Sequence, residues 1–359
     1  MERDSRSDQV GYQVKELVMA KRKKPQKQAI ERVTTYTPKV TFKLYPKQRV
    51  ASAYSAPDYS NAPPTEESAR FGWAGADVAE EAYAQLAGEF PKFFIANQVN
   101  ASDGKRVVLW DCAQKVLGAH IPTNNQEVGD CVSQGAANAV AYLQVVEINR
   151  LNDPEKYRPV FQPYIYGVSR VLIGNGRIRG DGSVGVWAAE GVRKYGILAA
   201  DEPEVPSYSG TVARSWGKSG PPDKFIQIGK NHLIQTIAKV TSYEQVRDAI
   251  VNGYPVTVAS DRGFRMNGTA DRGKLWGSPY GVWNHQMCFI GVDDDAKRPG
   301  VYVINSWGPN AHGKPVDDAP PGGFWVDARV VDYMVKQQDS FAYSQFDGFP
   351  EQDLDFNLI

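Results

Sequence analysis

Cys131 follows Gly129-Asp130 at the predicted start of a helix, where a thiol faces unpaired backbone N–H groups and the positive end of the helix dipole. That environment favours thiolate, the nucleophilic form of cysteine. Asp130 opposes it as a neighbouring anion unless its carboxylate is committed to capping the helix. His285 opens the apolar run HQMCFIG, and period-two alternation puts His285, Met287 and Phe289 on one face and Gln286, Cys288 and Ile290 on the other. Cys288 therefore faces away from this histidine despite its nearness in sequence. Twenty residues on, Asn305 ends the apolar run VYVI and is followed by Ser306, Trp307 and Gly308. An asparagine there can accept the proton of one imidazole nitrogen and fix the tautomer, as the third member of a catalytic triad does. Trp307 would cover that bond and exclude water. The chemistry these types support together is acyl transfer through a thioester. Taken singly, each residue also has an ordinary structural role: small buried hydrophobe, strand-end histidine, turn asparagine, core tryptophan.

The elements that must position these residues are legible from periodicity. Val132, Ala136, Ala139, Val140, Leu143 and Val146 recur at helical spacing, which predicts an amphipathic helix over 131–149. Further helices are predicted over 184–195, closed by Gly196, and over 243–252, stopped by Gly253. A short one is predicted over 76–88. Strands are predicted over 255–260, 285–292, 301–305 and 323–326. Helices come first and strands after them, which implies an α+β domain with a mainly antiparallel sheet. Residues 1–100 read instead as a basic, partly disordered arm, with a charge run over 21–27 and a linker-like stretch over 51–66. The regular, folded domain is expected over 101–339, and 340–359 reads as an acidic, aromatic tail without amphipathic period.

Composition narrows the function classes. The 359 residues carry 41 basic and 41 acidic side chains, so the overall charge argues for neither nucleic acid nor acidic lipid as a specific partner. The balance is uneven along the chain: residues 1–50 are strongly basic and the remainder is acidic. No apolar run approaches the roughly 18–20 residues of a membrane span, and the N-terminus lacks the pattern of a secretory signal. Three cysteines, Cys112, Cys131 and Cys288, cannot make a disulfide framework, which points to a reducing compartment, cytoplasmic or within a virion. Four histidines without a CxxC or HExxH pattern give no expectation of a metal site or cofactor. The Asp293-Asp294-Asp295 cluster reads as a hairpin loop, and His120, His232 and His312 carry no motif.

In order along the chain, Gln126, Cys131, His285 and Asn305-Ser306-Trp307-Gly308 resemble the motifs of the papain-like cysteine peptidases. Intermediate segments agree. Gly180-Asp181-Gly182-Ser183, then Lys194-Tyr195-Gly196-Ile197, resembles the family's glycine-rich substrate wall and following helix. Asp248-Ala249-Ile250 through Gly253-Tyr254-Pro255-Val256 resembles the opening of its second lobe, and Gly322-Gly323-Phe324-Trp325-Val326 its last barrel strand. The resemblance covers about residues 105–335. It implies a two-lobed fold, a helical lobe carrying the cysteine followed by an antiparallel, barrel-like lobe carrying the histidine and asparagine. It also implies roles. Cys131 would be the nucleophile, His285 the base, Asn305 its orienter and Trp307 the shield. Gln126 would donate to the oxyanion alongside the N–H of Cys131, and Gly182 and Ser183 would hydrogen-bond a polypeptide substrate through their backbones. The chain departs from the pattern in two places: Gln126 precedes the cysteine by five positions rather than six, and Val132 stands where the family has an aromatic residue.

The resemblance does not settle the function alone. A Cys-His amidase acting on peptidoglycan or isopeptide bonds uses the same groups, and a papain-fold structural protein, for example a bacteriophage virion component docking through its basic arm or acidic tail, uses the fold without the chemistry. A phage or intracellular bacterial member fits the absence of disulfides. The N-terminal region lacks the family's helical inhibitory propeptide signature, which leaves an inhibitory pro-segment and an attachment arm both open.

Overall fold

The computed structural model describes residues 71–86, 90, 106–151, 155–295 and 297–348. The basic run over 21–27 and the linker-like 51–66 lie outside these residues. In chain order the elements are α1 (Ala76–Gln85), β1 (Arg106–Val108), α2 (Trp110–Leu117), α3 (Cys131–Val146), α4 (Gln162–Gly167), α5 (Gly185–Lys194), α6 (Gly210–Ser219) and α7 (Asp223–Gly229). There follow β2 (Ile234–Lys239), α8 (Tyr243–Val251), β3 (Val256–Phe264), β4 (Thr269–Asp271), β5 (Lys274–Trp276), β6 (Pro279–Asp293), β7 (Gly300–Ile304), β8 (Gly323–Asp327), α9 (Ala328–Val335) and β9 (Ser340–Phe346). The helices precede most of the strands, and the chain is α+β. Among the described residues no helix is long and apolar enough to cross a membrane.

The predicted helix over 131–149 forms as α3, but it is not amphipathic: every residue from Cys131 to Val146 is buried. Its polar positions, which would mark a solvent face, are instead paired in part with neighbouring groups. Ser133 Oγ donates to Asp130 O at 2.8 Å, Gln134 Nε2 to Asp130 Oδ2 at 2.9 Å, and Gln144 exchanges two hydrogen bonds with the backbone of Arg158. In a helix buried all round such pairing matters, because each unpaired polar group costs about 1–3 kcal/mol. Gln134 Oε1, Asn138 Nδ2 and the Tyr142 hydroxyl are buried here without a partner among the described residues. Close approach to the sheet is made possible by Gly135, where a Cβ would lie 3.0 Å from the side chain of Gln286.

The strands form one sheet in the order β2-β9-β3-β6-β7-β8-β5-β4, with β1 on β6, antiparallel throughout except for β5 beside β8. The fifteen-residue β6 is its spine. It pairs with β3 along Pro279–Phe289 and with β7 along Cys288–Asp293, so its register places His285 opposite Ser260 and leaves Asn305 just past the end of the neighbouring β7. The Asp293-Asp294-Asp295 cluster closes β6, with Asp293 on Lys274 at 2.7 Å and Asp294 bonded to the Tyr243 hydroxyl at 2.9 Å.

Two expected boundaries are corrected. Residues 340–346 are not tail: β9 lies between β2 and β3, with Phe341 and Tyr343 fully buried. A strand covered on both faces shows no polar alternation, so its pattern resembles neither an amphipathic strand nor a helix. Likewise residues 71–86 are part of the folded body rather than an arm: α1 packs its buried Ala79 and Ala82 into the core.

Candidate active site

Cys131 is the first residue of α3, and its thiol is fully buried. The sulfur accepts from the backbone N–H of Gln286 at 3.4 Å, one residue beyond His285. Gln286 also ties β6 to the start of the helix by donating from Nε2 to Val132 O at 2.9 Å. His285 Nε2 and Asn305 Oδ1 are 2.7 Å apart in a buried contact, and the N–H of Ser306 reaches the same oxygen at 2.7 Å. Trp307 lies over the imidazole with ring centroids 4.6 Å apart, and Trp283 packs on Trp307 at 4.7 Å. The His285–Asn305 bond thus sits in an aromatic enclosure, where water exclusion strengthens it.

Gln126 is buried near the same corner. Its backbone N–H donates to Ser306 O at 2.8 Å, its Oε1 accepts from Ser306 Oγ at 2.6 Å, and its Nε2 donates to Val128 O at 2.9 Å. Gly182 and Ser183 form the wall beside α3, in distinct ways. Gly182 has its N–H directed to the Tyr166 hydroxyl at 2.8 Å and its carbonyl bound by the Arg170 guanidinium. Its contribution is therefore conformational, a φ of 111° and room for a close neighbour. Ser183 leaves its backbone N–H and C=O facing the cleft.

That cleft is occupied by the chain itself. Residues 71–74 run through it as an extended strap. Ser183 N donates to Gly72 O at 2.8 Å, and Ala74 N donates to Ser183 O at 2.9 Å. On the other side, the N–H groups of Gly72 and Trp73 donate to Asn284 O at 3.1 and 3.0 Å, beside His285. Phe71 meets His285 and Trp307 edge to face, and the Trp73 indole donates to Asp339 at 2.8 Å. Gly72 passes so close to Gly129 that a Cβ there would fall 1.9 Å from its carbonyl oxygen.

Burial changes the electrostatics expected at a helix start. Burial pushes the Cys131 thiol up to about 12, and the Asp130 carboxylate adds to the rise, while the N–H groups of Gln286, Gly72 and Val132 pull against it. Asp130 does not cap the helix with its side chain. Burial raises its own carboxyl to about 7, against the pull of hydrogen bonds from Gln134 and the Tyr208 hydroxyl. In this closed state the thiol is protonated at neutral pH, contrary to the thiolate expected from helix position alone. Desolvation outweighs the dipole because the dipole is worth only ~1–2 kcal/mol.

The strap and His312, whose Nε2 lies 2.8 Å from Asn305 Nδ2, escaped the sequence reading. His312 lies in the loop between β7 and β8, with no periodicity to mark it, and the strap is too short and irregular to leave a pattern. No protein-family model matches the chain, and no curated protein sequence does. Among solved structures, the chain is similar to xylellain, a cysteine protease from Xylella fastidiosa. The TM-score is 0.54 at 14% identity, covering 79% of this chain and 99% of that one. It is also similar to digestive procathepsin L 3 of Tenebrio molitor larval midgut, with a TM-score of 0.50 at 13% identity over 78% of this chain and 77% of that one. The fold is papain-like. At this identity the likeness concerns the path of the chain, and the papain-like fold says nothing by itself about activity or substrate.

Proposed function

We propose that the chain is a papain-like cysteine peptidase, held here in a latent state by residues 71–74. The observation that carries this reading is the buried 2.7 Å contact between His285 Nε2 and Asn305 Oδ1, on the strand whose next N–H faces the Cys131 sulfur. His285 would take the Cys131 proton as the sulfur attacks a peptide carbonyl. The tetrahedral oxyanion would be met by the N–H of Cys131 and, after turning from Val128, by the Gln126 side-chain amide; such a donor is worth roughly 100- to 1,000-fold in rate. His285 would then protonate the leaving amine, leaving a thioester that water hydrolyses by the same proton path in reverse. Ser183 would pair with the substrate backbone as it now pairs with Gly72, Gly182 would admit the chain closely, and Trp307 would keep water from the His285–Asn305 bond.

The test is the pH dependence of iodoacetamide alkylation at Cys131, in the full chain and after proteolytic release of the strap, with Cys131→Ala and His285→Ala as controls. After release, one thiol should react well below pH ~8, where an ordinary thiol is mostly protonated. It should be lost in Cys131→Ala and slow sharply in His285→Ala. A released chain whose Cys131 still reacts only as an ordinary thiol, and which cleaves no peptide in a library, would remove the peptidase reading. A second reading is favoured by the covered thiol: a papain-fold interaction protein in which the strap is permanent. A strap that no protease releases, with Cys131 inert throughout, would support it.

A further inference from the structure

The Asn305 side chain has two ends, and only one meets His285. At the other, Asn305 Nδ2 lies 2.8 Å from His312 Nε2, and His312 Nδ1 lies 3.0 Å from the carbonyl oxygen of Met266. The proton positions along this row follow from what each atom can do. A backbone carbonyl only accepts, so His312 carries its proton on Nδ1, and its Nε2 is a bare lone pair. That lone pair demands a donor, which makes the facing atom of Asn305 its amide nitrogen. The atom at the opposite end is then Oδ1, which accepts both from Ser306 N–H and from His285, so His285 is protonated on Nε2. The nitrogen left basic is Nδ1.

His312 is 1% exposed and immobilised by rings, edge to face on Phe324 at 4.7 Å and tilted against Trp307 at 5.6 Å and Trp283 at 6.1 Å. Turning the Asn305 amide over would set its NH2 against the His285 and Ser306 N–H groups, and its oxygen against the His312 lone pair. Both ends would repel. We propose that His312 is a positioning residue, which locks the Asn305 amide and through it the Nε2–H tautomer of His285. The inference rests on the peptidase reading for its purpose, since the base that Cys131 needs is the nitrogen this lock leaves unprotonated. It adds a fourth residue to the three that the motif supplies, from a position that no motif marks.

Tautomers are read directly by long-range ¹H–¹⁵N spectra of the full chain labelled at histidine, and four histidines make assignment by substitution straightforward. The wild type should show His312 as Nδ1–H and His285 as Nε2–H. His312→Gln should keep the His285 tautomer, because its carbonyl can accept from Asn305 while its NH2 donates to Met266. His312→Leu, which offers no acceptor, should give His285 as a mixture of tautomers, and in the strap-released chain kcat should fall at least tenfold with KM little changed. A His312 protonated on Nε2 in the wild type, or a His285 that stays uniformly Nε2–H in His312→Leu, would overturn the proposal; the first result needs no variant to fold. The two readings fail separately. The expected tautomers without any peptide cleavage would sink the peptidase, whereas cleavage with the opposite tautomers would sink the His312 lock.

Discussion

Asp130 is the residue on which the chemistry and the stability of this site bear most oppositely. Its carboxyl is buried and pushed up to about 7 by that burial, yet it stays beside the thiol whose ionisation it opposes. The folded chain holds the Asp130 proton to about pH 7, while an unfolded chain releases it near the ordinary value of ~3.9. Between those limits the unfolded state binds fewer protons, so stability should fall as pH rises through this window and level off above it. Asp130→Asn should flatten that slope, measured as urea midpoints at pH 5 and pH 7.5. The same substitution removes the anion beside Cys131, so alkylation should become several-fold faster at pH 8, with the advantage shrinking below pH 6, where wild-type Asp130 is already neutral. An unchanged alkylation profile would mean that Asp130 is screened from the sulfur. The sequence placed this aspartate correctly beside the cysteine and left its partner open. What it could not show was depth, because burial depends on residues far away in sequence, as the hydrogen bond from the Tyr208 hydroxyl to this carboxyl shows.

At the scale of elements, α3 and the strap show two different limits of a sequence reading. The helix was found because its apolar spacing is strong, but its polar residues mimicked a wet face, and only their tertiary partners reveal a buried one. The strands were found where β-branched residues run together, as in β7, and β6 was found only in its apolar half, since its first residues, Pro279–Val282, are exposed. The strap left no signal because its bonds run to Asn284 and Ser183, and backbone pairing is indifferent to side-chain type. Its sharpest steric requirement is Gly72. A methyl group there cannot coexist with the Gly129 carbonyl, so Gly72→Ala should unseat the strap while leaving both walls of the cleft intact. Alkylation of Cys131 at pH 7.5 should then rise by about tenfold or more, because the thiol regains solvent. A Gly72→Ala chain as inert as the wild type would show that the burial of Cys131 does not depend on these four residues. A different element carries the fold. Phe341 in β9 is fully buried between neighbouring strands, and Phe341→Ala should cost about 3–5 kcal/mol in urea unfolding. A loss below 1 kcal/mol would return that segment to the status of a tail.

Over the whole molecule, the first and last described segments meet at the start of α5, and Asp339 is where they join. This buried carboxylate, just ahead of β9, accepts from the N–H groups of Gly185 and Val186 at 2.7 and 2.8 Å, which holds the start of α5, and from the Trp73 indole, which holds the strap. Burial raises its pKa, and these three donors lower it, with Lys239 contributing attraction. One anion therefore serves the wall, the strap and the entry to the last strand, so closure of the cleft is tied to the docking of the chain's far end. Trp73→Phe deletes the indole N–H and keeps most of the ring. Asp339→Asn keeps one oxygen acceptor for three donors and should cost about 1–3 kcal/mol. Each change alone should speed Cys131 alkylation. Because both break the same hydrogen bond, the double variant should react little faster than the faster single one, a coupling of the kind expected for residues in direct contact. If the two effects multiply instead, Trp73 and Asp339 act independently of each other, and their shared hydrogen bond is not what holds the strap.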